Sequence, residues 1–141
     1  MIRFQNLIQK AGKSLGGLDM PFAHQNLTGK IIECIIKVHQ ILGPGFLENI
    51  YRNALMIELR TKGLKVEYEK EVRIYYLEQE IGKHRLDLLV ENQIIIELKN
   101  VDCLHPRNYA QVKSYLRATR CKIGLLVNFA SEKAEFRRIE L

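Results

Sequence analysis

Acidic residues are missing from the whole stretch between Cys103 and Ala130, and several other absences narrow what this 141-residue chain can be. Only three cysteines occur, Cys34, Cys103 and Cys121, with no CxxC spacing. Their odd number argues against a disulfide framework or a zinc-finger quartet, so they are expected to be reduced and buried. No run approaches the ~20 apolar residues of a membrane span, and the first residues lack the unbroken apolar segment of a signal peptide. A cytoplasmic protein without membrane contact is the expectation. No internal repeat or low-complexity segment is visible, which leaves no sign of a repeat array.

What is present fits one soluble globular domain: hydrophobic residues make up 47% of the chain and charged residues 27%. The net charge of +6 matters less than its placement. Arg107, Lys113, Arg117, Arg120 and Lys122 fill the acid-free stretch, a candidate surface for a polyanion.

Residues 1–26 mix glycine, basic and polar residues with isolated apolar ones and are read as an N-terminal arm, with Phe4, Leu7 and Ile8 hinting at a short docking helix. The domain proper is placed at 27–141. From Thr28, read as an N-cap, Ile31, Ile35, Val38 and Leu42 recur at helical spacing, with Glu33 and Lys37 as an i,i+4 pair. Gly43-Pro44-Gly45 breaks this helix, and a second runs from about Leu47 through Tyr51, Leu55 and Leu59 to Gly63. The period then changes. Val66 to Tyr76 alternate as one long strand or two shorter ones, and strands follow at about Lys83–Val90 and Gln93–Lys99 around a turn at Glu91 and Asn92. A helix from Pro106 to Ala118 and a strand from Lys122 to Asn128 complete the order α-α-β-β-β-α-β. Such an order predicts an α/β (α+β) fold with a mixed sheet flanked by helices.

Alternation puts Leu86, Leu88 and Val90 on one face of their strand and Arg85, Asp87 and Leu89 on the other. In the next strand Glu97 and Lys99 share a face with Ile95. If Val90 pairs with Ile94, Asp87 falls directly across from Glu97, and a one-residue slip would turn each acid to the wrong face. Two opposed carboxylates between apolar runs repel and are costly to desolvate, so they need a cation or a shared proton. Mg²⁺ or Mn²⁺ would satisfy Asp87, Glu97 and the backbone carbonyl of Leu98, and Lys99 on the same face would orient the attacking water or offset charge on a phosphate. The competing reading is a surface ladder of ion pairs, which the flanking runs Leu88-Leu89-Val90 and Ile94-Ile95-Ile96 argue against.

Asp87 with Glu97-Leu98-Lys99 resembles the active-site motif of the PD-(D/E)XK nuclease superfamily. Gly45-Phe46-Leu47-Glu48-Asn49-Ile50-Tyr51 is similar to the motif that names its GxxExxY family. His84 to Glu91 and Gly124 to Phe129 extend the resemblance, which covers about residues 27 to 130. Leu86 stands where the superfamily name places a proline, a departure that removes no ligand. The resemblance implies a restriction-endonuclease-like core and adds Glu48 on the first core helix as a metal-site acid, with Tyr51 in support. It also implies a supporting role for Gln111, one turn before Tyr115, in a QxxxY pattern. Phosphodiester hydrolysis in nucleic acid, DNA before RNA, is the function implied, with Lys113, Arg117, Arg120 and Arg107 on the phosphate backbone. His84 and His105 flank the site in sequence and are read as surface or packing residues, and His24 and His39 show no partner pattern. Two alternatives stay open: a non-catalytic nucleic-acid-binding module, and a homodimeric interaction protein using the Gly-Pro-Gly-Phe loop and Tyr51.

Overall fold

A computed structural model describes residues 25–141. The arm expected at 1–26, with Phe4, Leu7, Ile8 and His24, therefore lies outside the described residues except for Gln25 and Asn26, which are already helical. Eight elements follow: α1 (Gln25–Leu42), α2 (Glu48–Thr61), β1 (Val66–Tyr76), β2 (Gln79–Val90), β3 (Ile94–Lys99), α3 (Pro106–Thr119), β4 (Ile123–Asn128) and β5 (Glu135–Glu140). The expected order holds, and β5 is added to it.

The sheet runs β1-β2-β3-β4-β5. The first three strands form an antiparallel meander, β3 and β4 are parallel, and β5 returns antiparallel to β4. A parallel neighbour needs a crossover, and α3 supplies it. Helices α1 and α2 cover one face, where Ile31, Ile35, Tyr51, Leu55 and Leu59 meet Leu88, Val90, Ile94, Ile96, Leu98, Leu125 and Val127. Helix α3 covers the other, packing Val112, Tyr115 and Leu116 on Leu86, Leu89, Ile95, Leu126 and Ile139. Strands covered on both faces read as continuous apolar runs, and this is why Ile94 to Leu98 and Ile123 to Asn128 are buried without interruption.

Four expectations need correction. Of the cysteines expected to be buried only Cys34 is, since Cys103 is exposed and Cys121 half-buried. Thr28 is not an N-cap: α1 begins by Gln25, and the Thr28 hydroxyl is buried without a partner among the described residues. Glu33 and Lys37 do not pair within α1 but each crosses to α2, Lys62 binding Glu33 at 2.7 Å and Lys37 binding Glu58 at 3.0 Å. Inter-helix partners won because these side chains border the α1–α2 seam. Leu86 does not share a face with Leu88 and Val90, since it packs under α3 while they pack under α1 and α2. The strand's alternation is broken between Leu86 and Leu88, that is, at Asp87.

That break is what builds the site. β2 pairs with β3 from Val90↔Ile94 to Leu88↔Ile96, and the ladder stops there, one position short of Asp87 and Glu97. On the other side, Glu69 and Asp87 are the gap between Tyr68↔Leu88 and Lys70↔Leu86, and Glu69 takes a left-handed φ of 49°. Such a φ is uncommon for a non-glycine residue and distorts a strand locally.

Candidate functional site

Where β2 parts from β3, the Asp87 side chain replaces the missing backbone partner, its Oδ2 accepting the Leu98 N–H at 2.8 Å. The N–H and C=O of one strand residue leave on the same edge, so the Leu98 carbonyl also faces the β2 side. The Asp87 and Glu97 carboxyls adjoin in the register expected from the apolar pattern. Burial raises the Asp87 carboxyl above its ordinary value, although the Leu98 bond, Lys99 and Arg52 all pull the other way. For Glu97, burial first and repulsion from Asp87 second push the carboxyl up to about 8 against the pull of Lys99.

Glu97 is only 4% exposed, and its two oxygens differ. Oε1 lies 3.3 Å from Lys99 Nζ, whereas Oε2 is buried and, among the described residues, has no hydrogen-bond partner unless a proton is shared with the adjoining Asp87 carboxyl. A buried carboxylate oxygen left unpartnered costs on the order of 1–3 kcal/mol or more, so something is expected to meet it. A hard divalent cation fits this donor set, two adjoining carboxylates with a strand carbonyl on the same edge. Among the described residues, no three His, Cys, Asp or Glu side chains are already gathered tightly enough to hold a metal ion. The Asp87–Glu97 pair is therefore what an ion would meet first.

Glu48 opens α2 and comes to this pair from the opposite layer. Partial desolvation and then repulsion from Asp87 raise its carboxyl, with Lys99 and Arg52 opposing. Its place is fixed by the loop before it. Gly43 and Gly45 take φ of 68° and 107°, conformations that glycine adopts without penalty. The Tyr51 hydroxyl donates to the Gly43 carbonyl at 2.5 Å and accepts the Phe46 N–H at 3.2 Å. Tyr51 is fully buried and stacks on Phe129 at 4.4 Å. Asn100, next to Lys99, donates to the Phe46 carbonyl at 2.8 Å, so the loop is tied to the end of β3 as well. Tyr51 thus positions Glu48 rather than facing the acids.

On α3, Gln111 Nε2 donates to the Tyr115 hydroxyl at 2.7 Å. Tyr115 stands close enough to the acids that burial, then the charges of Glu97 and Asp87, push its phenol up to about 12. His84 packs edge-on against Tyr115 at 4.6 Å and meets Ser114 Oγ, in line with a packing role. His105 caps α3 in a reciprocal capping box with Asn108. His39 has the partner its sequence context did not suggest, the Ser131 carbonyl at 2.7 Å.

The basic residues fall elsewhere. At ~100° per residue, Lys113 and Arg117 lie on the far side of α3 from Gln111, and Arg120 is the left-handed residue just past the helix end. All three are exposed, as is Arg107 at the helix start, and among the described residues none is in an ion pair. Lys99 is paired with Glu97 beside Asp87, Glu48 and Tyr115 are near enough to feel these acids, Gln111 is tied to Tyr115, and the basic stripe lies apart from them.

Sequence reasoning passes over three neighbours. Arg52 lies one turn beyond Glu48, a spacing that could have flagged it. Glu69 gives no signal, because its left-handed backbone breaks the strand pattern. Asn128, fully buried, accepts the Val101 N–H and donates to the Val101 carbonyl, tying the chain after Lys99 to the end of β4.

A family model described as the PD-(D/E)XK nuclease superfamily matches residues 25–139. The chain belongs to that superfamily, and its mixed sheet with flanking helices is a restriction-endonuclease-like fold. Among solved structures, the one titled "Crystal structure of SSO0001" is similar at a TM-score of 0.53 and 17% identity. That match covers 99% of this chain and 75% of the other, and at this identity it speaks for the fold alone. No curated protein matches the sequence. Among the described residues, no helix is long and apolar enough to cross a membrane.

Proposed function

We propose that this chain is a nuclease of the GxxExxY family that hydrolyses phosphodiester bonds in DNA, in preference to RNA, with Mg²⁺ or Mn²⁺. The observation that carries the reading is the adjoining Asp87 and Glu97 pair beside Lys99, with Glu97 Oε2 buried and unpartnered among the described residues. Binding alone would not require two buried acids side by side.

Asp87, Glu97 and the Leu98 carbonyl would hold the ion, with Glu48 joining from α2. When bound, the ion supplies Lewis-acid polarisation of the phosphate and activation of a water molecule. The chain's own residues do the rest. Lys99 holds an ammonium beside Glu97, where it orients the attacking water or offsets charge on the phosphate oxygens. Gln111 fixes the Tyr115 hydroxyl at the wall of the site. Arg107, Lys113, Arg117 and Arg120 add sequence-independent affinity for the backbone of a long substrate that wraps past the site. The domain is assigned to 27–141 and the location to the cytoplasm.

Titration of Mg²⁺ or Mn²⁺ into wild-type protein and Asp87→Ala, followed by cleavage assays on plasmid and single-stranded DNA, tests this. Metal binding and cleavage by wild type, both lost in the variant, are expected. Wild-type protein that binds no metal would sink the enzyme reading.

A second reading, homodimerisation through the loop before α2, is favoured by one observation: Phe46, Leu47 and Ile50 are exposed there at 41, 69 and 38%. Sedimentation of wild type and Leu47→Asp separates it from the first, since cleavage by a monomer needs no such contact.

A further inference from the structure

Arg52 is the cation that the proposed mechanism leaves unused. Its Nη1 donates to Glu69 Oε1 at 2.8 Å, and Glu69 Oε2 accepts from Arg85 Nη2 at 2.8 Å. Its guanidinium lies over the Tyr68 ring at 5.7 Å. The Arg52 side chain is 17% exposed, and Nε is buried with no acceptor among the described residues. Among the described residues, the Glu69 bond is the only hydrogen bond that the guanidinium makes.

Nε is closed to solvent, so Nη2, which has no acceptor among the described residues, is the donor left open to a ligand. A guanidinium N–H of this kind is a strong charge-assisted donor to a phosphate or carboxylate oxygen. The group is anchored from behind by Glu69, whose own position is set by the left-handed backbone facing Asp87. It stands on the same face of α2 as Glu48, one turn on, and its charge is felt by both Glu48 and Asp87. Among the described residues it has no second anchored partner, so the guanidinium is held but not satisfied.

We infer that Arg52 is a substrate-binding residue whose Nη2 donates to a non-bridging oxygen of the substrate phosphodiester, with Glu69 as the positioning residue that holds it there. The inference rests on the nuclease reading and adds a residue to it. A cation here also has an opposite effect on a metal ion, because it repels the ion while it attracts the phosphate. The two effects separate a binding role from a merely structural one.

The test measures two affinities in each of wild type, Arg52→Gln, Arg52→Lys and Glu69→Gln. One is for Mn²⁺ alone, and the other is for a short DNA oligonucleotide with Ca²⁺ supporting binding. Arg52→Gln is expected to weaken oligonucleotide binding roughly tenfold to hundredfold, while Mn²⁺ binds as tightly or more tightly. Arg52→Lys keeps the charge but not the planar guanidinium, so it falls between, and Glu69→Gln loosens the anchor with the same sign. Oligonucleotide binding unchanged in Arg52→Gln and Arg52→Lys overturns the inference and leaves the nuclease reading standing. Equal loss of Mn²⁺ and oligonucleotide affinity in Arg52→Lys, with a lowered Tm, assigns Arg52 to structure and overturns it as well. Wild-type protein that binds neither Mn²⁺ nor oligonucleotide removes the nuclease reading, and this inference with it.

Discussion

Replacing Glu97 by glutamine should flatten the pH dependence of stability in metal-free protein. Burial and the neighbouring Asp87 raise this carboxyl from 4.5 to about 8 in the folded chain. Below pH ~4.5 the group is protonated in both the folded and unfolded states, and above ~8 it is ionised in both. Between these values the folded protein holds a proton that the unfolded chain has released. Stability must therefore fall as pH rises through this window. Each unit of separation is worth about 1.4 kcal/mol, so the full interval sets a ceiling near ~5 kcal/mol. Because Asp87 and Glu97 titrate as a pair, a loss of about 2–4 kcal/mol between pH 5 and 9 is expected of wild type relative to Glu97→Gln. Urea unfolding at pH 5, 6, 7, 8 and 9 in the presence of EDTA measures it, through the difference in ΔG at each pH. Adding Mg²⁺ at pH 8 should restore wild type and leave the glutamine variant unchanged, since only the former has the charge to bind it. Parallel pH profiles for the two proteins would refute the reasoning.

Other outcomes follow from the packing. Tyr51→Phe removes the donor to the Gly43 carbonyl and the acceptor for the Phe46 N–H, which should cost about 1–3 kcal/mol in chemical denaturation and lower cleavage by displacing Glu48. Gly124→Ala would drive a methyl group into Val112 Cγ1 where α3 rests on β4, and a loss of about 1–3 kcal/mol is expected, relieved by Val112→Ala in the double mutant. Changing Lys113, Arg117 and Arg120 together to glutamine should reduce the slope of log binding constant against log salt by roughly 0.9 for each phosphate no longer neutralised, with metal affinity untouched. An unaltered slope would place the nucleic acid on another surface.

Much of this architecture is legible in the residues, for reasons that can be named. β3 and β4 announce themselves because strands covered on both faces need unbroken apolar runs. The Asp87–Glu97 opposition follows from the same runs, since Val90↔Ile94 is the register that buries them. β5 is hidden because it is an edge strand that sends Phe136 into one layer and Ile139 into the other, so its apolar residues stand three apart and show no alternation. The outer half of β2, from Gln79 to Gly82, is hidden because its residues are exposed and nothing selects an inward face. Period-two reasoning puts Leu86 in the wrong layer because it assumes an unbroken strand, and the break at Asp87 belongs to the site. The Arg52–Glu69 contact depends on a backbone conformation at Glu69 that no residue type advertises.

The bond from the Leu98 N–H to the Asp87 carboxylate also bears on how this fold can diverge. Asparagine at position 87 would offer a carbonyl oxygen in the same place and keep the two strands joined, while giving up the charge that a cation needs. A single substitution can then silence the chemistry without loosening the sheet. Descendants of such a chain would survive as well-folded proteins free to take on other tasks, and the side chain at this one position would mark on which side of that divide a relative falls.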